Sequence, residues 1–211
     1  MIEKKFIKKN IENLMIESYI KKKWRDAGIS KVEVFRTPLG YKITIWALRT
    51  GLLSGREGET LTQIAEDLKK KFNIENPVIE VRRVENPFLD PNIVAFLAVK
   101  YFEKYGRLRF KAIGYNLLRR IMEAGARGAE IYISGPIPGD LHHTWPFRAG
   151  YIPKSGEPHK TLVKSAIEQV RTPRSAIGIK VFILPPDAKM PDEVDFITIE
   201  EDEGEGVEEE K

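Results

Sequence analysis

The segment Ser54-Gly-Arg-Glu-Gly58 places two glycines three residues apart between a strand pattern and a helix pattern, and the organisation of the N-terminal half follows from it. Upstream, residues 32–37 and 41–47 alternate apolar and polar side chains, which predicts two strands joined by a tight turn. Downstream, apolar residues recur at helical spacing over residues 61–72, and residues 78–84 fit a third strand. With residues 51–58 as a loop, the predicted order is strand, strand, glycine loop, helix, strand.

The glycine loop has the composition of an anion cradle. Glycines present no Cβ, so the backbone N–H groups and the positive end of the following helix can approach a phosphate closely. A structural alternative is a capping box of Ser54 and Glu57 that simply starts the helix. A nucleotide-triphosphate loop is excluded, because a pattern beginning at Gly51 needs glycine and lysine where Arg56 and Glu57 stand.

The rest of the chain predicts a second α+β unit. Residues 3–26 form an amphipathic helix with a lysine-rich outer face, and residues 86–91, with two prolines, are the linker. After it, helices are predicted at 92–105 and 110–124 and strands at 130–134, 146–152 and 177–184, with 160–170 a short helix or irregular. The predicted units are 1–85, 92–186 and an acidic, disordered tail 187–211 beginning after Pro185-Pro186. The second unit is expected to be two helices on a mainly antiparallel sheet.

Charge is distributed very unevenly along the 211 residues, whose net charge is +4. Residues 187–211 carry 12 acidic and two basic side chains, so the body before them has a net charge of +14. A body this basic indicates either a polyanion partner, of which nucleic acid is the commonest in a cell, or simply a well-solvated surface. The tail is predicted to be a solubilising extension, and a sharper hypothesis is that it screens the body from nonspecific RNA before assembly. The absence of cysteine excludes disulfides, Cys-ligated zinc and a thiol nucleophile, and without a signal or membrane-spanning run we expect a cytoplasmic protein.

The sequence resembles the universal small-ribosomal-subunit protein three family in its archaeal form, over about residues 5–184. The matching stretches are Val34-Phe-Arg-Thr-Pro-Leu-Gly40, Gly55 to Gly58, Ile79-Glu-Val-Arg-Arg-Val-Glu-Asn-Pro87, Leu118-Arg-Arg-Ile-Met-Glu-Ala-Gly-Ala126, Phe147-Arg-Ala-Gly-Tyr-Ile152, Ser155-Gly-Glu-Pro158 and Ile177-Gly-Ile-Lys-Val181. The resemblance implies a type II KH domain, a three-stranded sheet with helices, followed by a two-layer α/β ribosomal domain.

The resemblance also implies a function in the head of the small subunit, inside the ribosome. The expected partners are small-subunit rRNA, mRNA at the entrance to its channel and neighbouring ribosomal proteins. The expected KH-loop contacts are Ser54, Gly55, Arg56 and Gly58. A basic helix facing mRNA or rRNA is expected to present Arg107, Arg109, Lys111, Tyr115, Arg119 and Arg120. Further rRNA contacts are expected from Lys5, Lys8, Lys9, His142, His143, Trp145 and Arg148.

The basic helix departs from the bacterial members of the family. In those members the helix carries Arg, Arg and Lys, which help to separate mRNA secondary structure. This sequence has Lys111, Ala112 and Tyr115 at the same positions, so two of the three positive charges are absent. Lys111, Tyr115 and Arg119 share one helix face by their spacing of four. Trp145 is the tryptophan best suited to stacking on a base.

Neither a catalytic residue nor a cofactor is predicted. His142, His143 and His159 lack the spacing of metal ligands, and no acid/base constellation is recognisable. Two functional alternatives stay open: a free-standing KH regulator of mRNA, and a nuclease or lyase side activity on damaged DNA, which rests on the resemblance alone.

Overall fold

The computed structural model describes residues 2–37, 40–55, 58–72, 74, 77–137, 140–172 and 175–193. Within them, two β-sheets follow one another along the chain, each covered by helices on one face. We call the part around the first sheet the KH lobe and the part around the second sheet the C-terminal lobe. In this part of the chain no helix is long and apolar enough to cross a bilayer.

The KH lobe is built on a three-stranded mixed sheet in the order β1-β2-β3, with β2 antiparallel to β1 and parallel to β3. Its elements are α1 Ile2–Lys23, a 3-10 turn Arg25–Ala27, β1 Ile29–Thr37, β2 Gly40–Ala47, α2 Thr50–Ser54, α3 Glu59–Phe72 and β3 Val78–Arg83. Ile43 and Ile45 of the central strand are completely buried against Ile20, Leu53 and Ile64 of the three helices. The opposite face of the sheet, which we call its open face, carries the charged residues Lys31, Glu33, Lys42, Glu80 and Arg82.

The C-terminal lobe is built on a four-stranded antiparallel sheet in the order β5-β4-β7-β6. Its elements are 3-10 turns Pro87–Leu89 and Arg107–Arg109, α4 Pro91–Tyr105, α5 Phe110–Glu123, β4 Gly128–Ile137, β5 Asp140–Gly150, α6 Gly156–Thr161, β6 Lys164–Thr172 and β7 Ser175–Leu184. Both long helices pack on the same face of the sheet, where Leu117 and Ile121 of α5 meet Ile131 and Ile133 of β4. The predicted α+β class, with its two sheets, is confirmed.

Direct contacts join the two lobes. Lys100 Nζ lies 2.7 Å from Asp26 Oδ1, and this pair lowers the pKa of Asp26 and raises that of Lys100. Asp90 accepts a hydrogen bond from the backbone N–H of Asn92 at 2.9 Å, which caps α4, and another from the Ser30 hydroxyl on β1. The predicted linker therefore contains residues that fix the start of α4 against the KH lobe.

Two predictions for the KH lobe need correction. Ile7, Ile11 and Leu14, on the predicted apolar face of the first helix, are exposed, because only the last third of α1 packs on β1 and α3. The predicted loop 51–58 begins as a helix, because completely buried Leu53 holds α2 in the core.

The prediction for residues 160–170 is wrong, because most of this segment is strand β6. Val163, Ala166, Ile167 and Val170 have the spacing of a helix face, which hid the alternation typical of a strand. In the structure Ala166 and Val170 are buried, whereas Ile167 between them is 70% exposed on the other side of the sheet. Similarly, β5 begins at Asp140, earlier than predicted, in a polar segment at the edge of the sheet.

The packed structure continues past Pro185-Pro186, which corrects the predicted start of the tail. Ala188 and Met190 are buried in a small cluster with Ile152 and Leu184. Arg127 donates a 2.6 Å hydrogen bond to the carbonyl of Ala188 and forms an ion pair with Glu193. Apolar contacts, together with the hydrogen bond and ion pair of Arg127, therefore hold residues 187–193 on the C-terminal lobe. Residues 194–211 lie outside the described part.

Candidate nucleic-acid interface

Helix α5 carries four of the six residues predicted for the basic helix, and packing sorts its exposed residues into two strips. Its buried side contains Phe110, Ile113, Leu117 and Ile121, as predicted from their spacing. Lys111, Tyr115 and Arg119 form the strip toward β5, which we call the β5 strip. Ala112, Asn116 and Arg120 form the strip toward α4, which we call the α4 strip. The predicted residues on α5 are therefore divided between two neighbouring surfaces, with Lys111, Tyr115 and Arg119 on the β5 strip and Arg120 on the α4 strip.

The β5 strip combines rings with a cation. Lys111 Nζ lies 4.8 Å from the ring centroid of Trp145, within the range of a cation–π contact. The Trp145 ring is half-buried and packs against Phe110 at 5.5 Å between centroids. Tyr115 stands edge-on to Phe147 at 5.1 Å and is 64% exposed. Of these two rings, both predicted to contact RNA, Tyr115 is therefore the more accessible to an unpaired base.

The two adjacent histidines lie on opposite faces of the sheet, because successive residues of a strand alternate. His143 is on the α5 side, with its ring 5.1 Å from that of Trp145. His142 shares the other face with Arg148, whose guanidinium donates a 3.3 Å hydrogen bond to the Tyr132 hydroxyl. The structure therefore places His143 beside the β5 strip and separates His142 and Arg148 from it.

A buried carboxylate lies beneath Arg148. Glu130 is 6% exposed and accepts hydrogen bonds from Lys154 and, at 2.8 Å, from the Tyr132 hydroxyl. Burial raises the pKa of this carboxyl, but the hydrogen bonds from Lys154 and Tyr132 and the charge of Arg148 lower it by more, so that its pKa lies below the usual glutamate value. Arg148 thus takes part in an ion-pair network within the lobe.

Three cations at the start of α5 have no acidic partner among the described residues: Arg107, Arg109 and Lys111. The first turn of α5 contains no acid. Cations near a helix N-terminus oppose the helix dipole, at a cost of about 0.3–1 kcal/mol each. Arg119, one turn further on, is paired with Glu123 at 3.5 Å. Uncompensated positive charge is therefore concentrated at one end of the helix, where an anion would relieve it.

The open face of the KH sheet offers a contrast, because its cations are neutralised locally. Lys31 pairs with Glu33 along β1. Lys42 and Arg82 share Glu80, at 3.1 and 2.7 Å. This face carries as many cations as the start of α5, but each has a carboxylate partner within the same sheet. The positive charge of the body is thus distributed unevenly over its surface.

The glycine loop needs both of its glycines. Gly55 has a φ of +70°, and a Cβ on it would lie 2.4 Å from Thr60 Oγ1. Gly58 has a φ of +84° with open space around it, and its carbonyl accepts the first helical hydrogen bond of α3, from Thr62 N–H at 3.0 Å. Ser54 is the last residue of α2, so the capping-box alternative for α3 is wrong. Arg56 lies outside the described residues.

The predicted lysines of α1 form a separate basic surface on the KH lobe. Lys5, Lys8 and Lys9 are exposed on the part of the helix that extends beyond the core. None of them has an acidic partner in the described part of the chain. The structure does not bring them into the α5 strips.

Sequence reasoning missed a cleft between α4 and α5. Tyr101 and Tyr105 of α4 face Arg109, Asn116 and Arg120 across it. The signal was present, because two tyrosines spaced by four in a helix share one face. Elsewhere, the described residues contain no group of three or more His, Asp or Glu arranged to hold a metal.

Comparisons with known proteins agree with this arrangement. Residues 15–89 match the family model described as KH domain, and residues 104–183 match that described as ribosomal protein S3, C-terminal domain. The chain is 39% identical to small ribosomal subunit protein uS3 of Methanocaldococcus jannaschii over 92% of both chains. It is 34% identical to uS3 of Methanococcus maripaludis, over 94% of this chain and 93% of the relative, and 37% identical to uS3 of Methanosphaera stadtmanae, over 93% and 77%.

The matched regions cover both lobes, and the curated relatives align over nearly the whole chain. The chain therefore belongs to the small ribosomal subunit protein uS3 family.

Proposed function

We propose that this protein is a structural constituent of the small ribosomal subunit, and that the start of α5 binds RNA. The relatives' name supports the subunit assignment. The RNA-binding surface is supported by one observation above all: Arg107, Arg109 and Lys111 have no acidic partner in the described chain, at a helix end that already favours an anion. RNA phosphates supply the missing counter-charge.

The β5 strip adds a ring to this charged surface. Tyr115 offers an exposed aromatic face on which an unpaired base stacks, while Lys111 and Arg119 flank it at one helical turn on either side. Such a surface holds single-stranded RNA through phosphates and stacking, without sequence readout. This chemistry suits mRNA passing the entrance of its channel, and it needs no catalytic residue.

Two further surfaces are proposed to bind small-subunit rRNA. The open space around Gly58 lets RNA backbone approach the loop, as KH domains require. Lys5, Lys8 and Lys9 present a second row of unpaired cations along α1. Neighbouring proteins of the small-subunit head complete the proposed surroundings. The proposed domain division is 1–85 and 92–186 with the linker 86–91, and residues 187–193 are added to the second unit because they pack on it.

Salt-dependent RNA binding tests the proposed surface. The double variant R107Q/R109Q is compared with K31Q/K42Q, which removes the same charge from cations that already have acidic partners. For single-stranded RNA, each lost phosphate contact reduces the slope of log affinity against log salt by about 0.7, so R107Q/R109Q should lower it by about 1.4. Equal slopes for the two double variants would contradict the proposal.

Sedimentation tests the assignment to the subunit. Tagged wild-type chain should co-sediment with small subunits in an archaeal host. A chain found only in free fractions, with sequence-selective binding to mRNA, would instead favour a free-standing KH regulator.

A further inference from the structure

The cleft between α4 and α5 has the shape and chemistry of a slot for one flat aromatic ring. One wall consists of Tyr101 and Tyr105, whose ring centroids are 6.2 Å apart. The facing wall on α5 includes Ala112, which has only a methyl group, between the long side chains of Arg109 and Asn116. The opening is therefore produced by a small side chain flanked by long ones, and a larger residue at position 112 would close it.

The cations of the cleft are held in place. Arg120 donates a 3.0 Å hydrogen bond to the Tyr101 hydroxyl, which fixes its guanidinium at one end. Arg109 lies at the other end with its guanidinium 5.8 Å from the Tyr105 centroid. Both planar cations are thus oriented by tyrosines before any ligand arrives, which lowers the entropy lost on binding.

Asn116 supplies the polar edge of the slot. It is exposed between the two arginines, and its amide makes no hydrogen bond within the described chain. An amide offers a donor and an acceptor side by side, which matches the hydrogen-bonding edge of a nucleobase. Aromatic and guanidinium planes stack on the faces of the same ligand.

We infer that the cleft binds one unpaired nucleotide, with its base between Tyr105 and Arg120 beside Asn116 and its phosphate near Arg109. The inference rests on the proposed RNA-binding function and adds a second contact for single-stranded RNA, on the α4 strip. The nucleotide is either part of an RNA strand or free. The ligand is a single nucleotide and not a duplex, because the rings contact the faces of the base and the amide contacts its hydrogen-bonding edge. In a duplex, stacking and pairing make these faces and this edge inaccessible.

Filling the cleft without changing its charges tests the inference on the full chain. A112L places a branched side chain in the slot, and A112S is the matched control that leaves it open. Binding is measured to an oligouridylate of about ten nucleotides and to the same sugar-phosphate chain without bases. A112L should weaken binding of the base-bearing strand by about threefold to tenfold and leave the abasic strand unchanged, and A112S should match the wild type in both.

A second variant, Y105L, removes one of the two rings of the tyrosine wall. It should also weaken binding of the base-bearing strand alone, which would show that the effect of A112L does not come from misfolding. Titration with uridine monophosphate and with adenosine monophosphate distinguishes a free nucleotide from a nucleotide within an RNA strand as the ligand. Binding of a monophosphate that A112L abolishes identifies free nucleotide as a ligand, and a base-dependent loss seen only with the oligonucleotide identifies RNA.

The inference is refuted if A112L binds the base-bearing strand as tightly as the wild type does, or if A112L loses the same affinity for the base-bearing and the abasic strand. If R107Q/R109Q still loses RNA in the same assay, the proposed RNA surface survives that failure. If R107Q/R109Q binds RNA as tightly as the wild type does, the proposed RNA-binding surface itself is refuted.

Discussion

Gly28 of the KH lobe and Phe96 of α4 touch so closely that a Cβ built on Gly28 would lie 3.0 Å from two ring carbons of Phe96. Gly28 also has a φ of +65°, in the left-handed region, where it closes the 3-10 turn that follows α1. One residue thus satisfies a backbone requirement of the KH lobe and a packing requirement of the contact between lobes.

Gly28→Ala should therefore destabilise the protein by about 2–5 kcal/mol. The left-handed conformation costs an L residue about 1–2 kcal/mol, and crowding against Phe96 adds about 1–3 kcal/mol. The free energy of unfolding in denaturant measures the loss. Gly125→Ala is the control, because Gly125 has a φ of +89° with open space around it and should lose the backbone contribution alone. Equal losses in the two variants would show that the contact with Phe96 is unimportant.

Gly114 sets the distance between α5 and β5. A Cβ at this helical position would lie 2.7 Å from ring atoms of buried Phe147, on which Tyr115 packs. Gly114→Ala should therefore cost about 1–3 kcal/mol of unfolding free energy, although alanine favours a helix by about 1 kcal/mol. Gly51→Ala in α2, with no atom within 4 Å, is the control and should be neutral or slightly stabilising. A stable Gly114→Ala variant would mean that α5 moves freely on the sheet.

Periodicity predicted the elements that have one buried face, and it failed where two faces carry apolar residues. Phe110, Ile113 and Leu117 identified α5 because its other side is polar. In β6, the exposed Ile167 completed a false helical pattern, and only antiparallel pairing with the following strand β7 shows that this segment is a strand.

The sequence located the candidate interface but could not divide it. Spacing alone grouped Lys111, Tyr115 and Arg119, whereas the direction of Arg120 toward Tyr101 depends on how α5 packs on α4. Likewise, the packing of Trp145 on Phe110 depends on contacts between residues far apart in the chain. The opposite orientation of His142 and His143 could have been predicted from the sequence if their segment had been assigned to a strand, because successive residues of a strand alternate.

Acid should weaken the C-terminal lobe through Glu130. Because its pKa in the folded protein lies below the ordinary value of 4.5, Glu130 contributes stability above about pH 4.5 that is lost as the pH falls through the folded value. Glu130→Gln removes this contribution, so its unfolding free energy should fall less steeply below pH 4.5 than that of the wild type. At neutral pH the variant should be less stable by about 1.5–3 kcal/mol, because hydrogen bonds to a charged group are lost.

Thermal unfolding followed from neutral pH to about pH 3 measures this difference. Glu66→Gln, which removes an exposed carboxylate paired with Lys70 at 3.4 Å, is the control. Parallel profiles for Glu130→Gln and the wild type would rule out Glu130 as a source of acid sensitivity.

The position of a C-terminal truncation should separate stability from RNA binding. Removal of residues 187–211 takes away the buried Ala188 and Met190 and the partner of Arg127, so it should lower the unfolding free energy by about 2–5 kcal/mol. Removal of residues 194–211 alone should leave stability unchanged, because none of these contacts is lost. It also removes nine acids and one lysine, which should strengthen nonspecific RNA binding at low salt if the acids screen the basic body. RNA affinity equal to that of the full chain in the shorter truncation would refute screening, and full stability of the longer truncation would refute the role of residues 187–193.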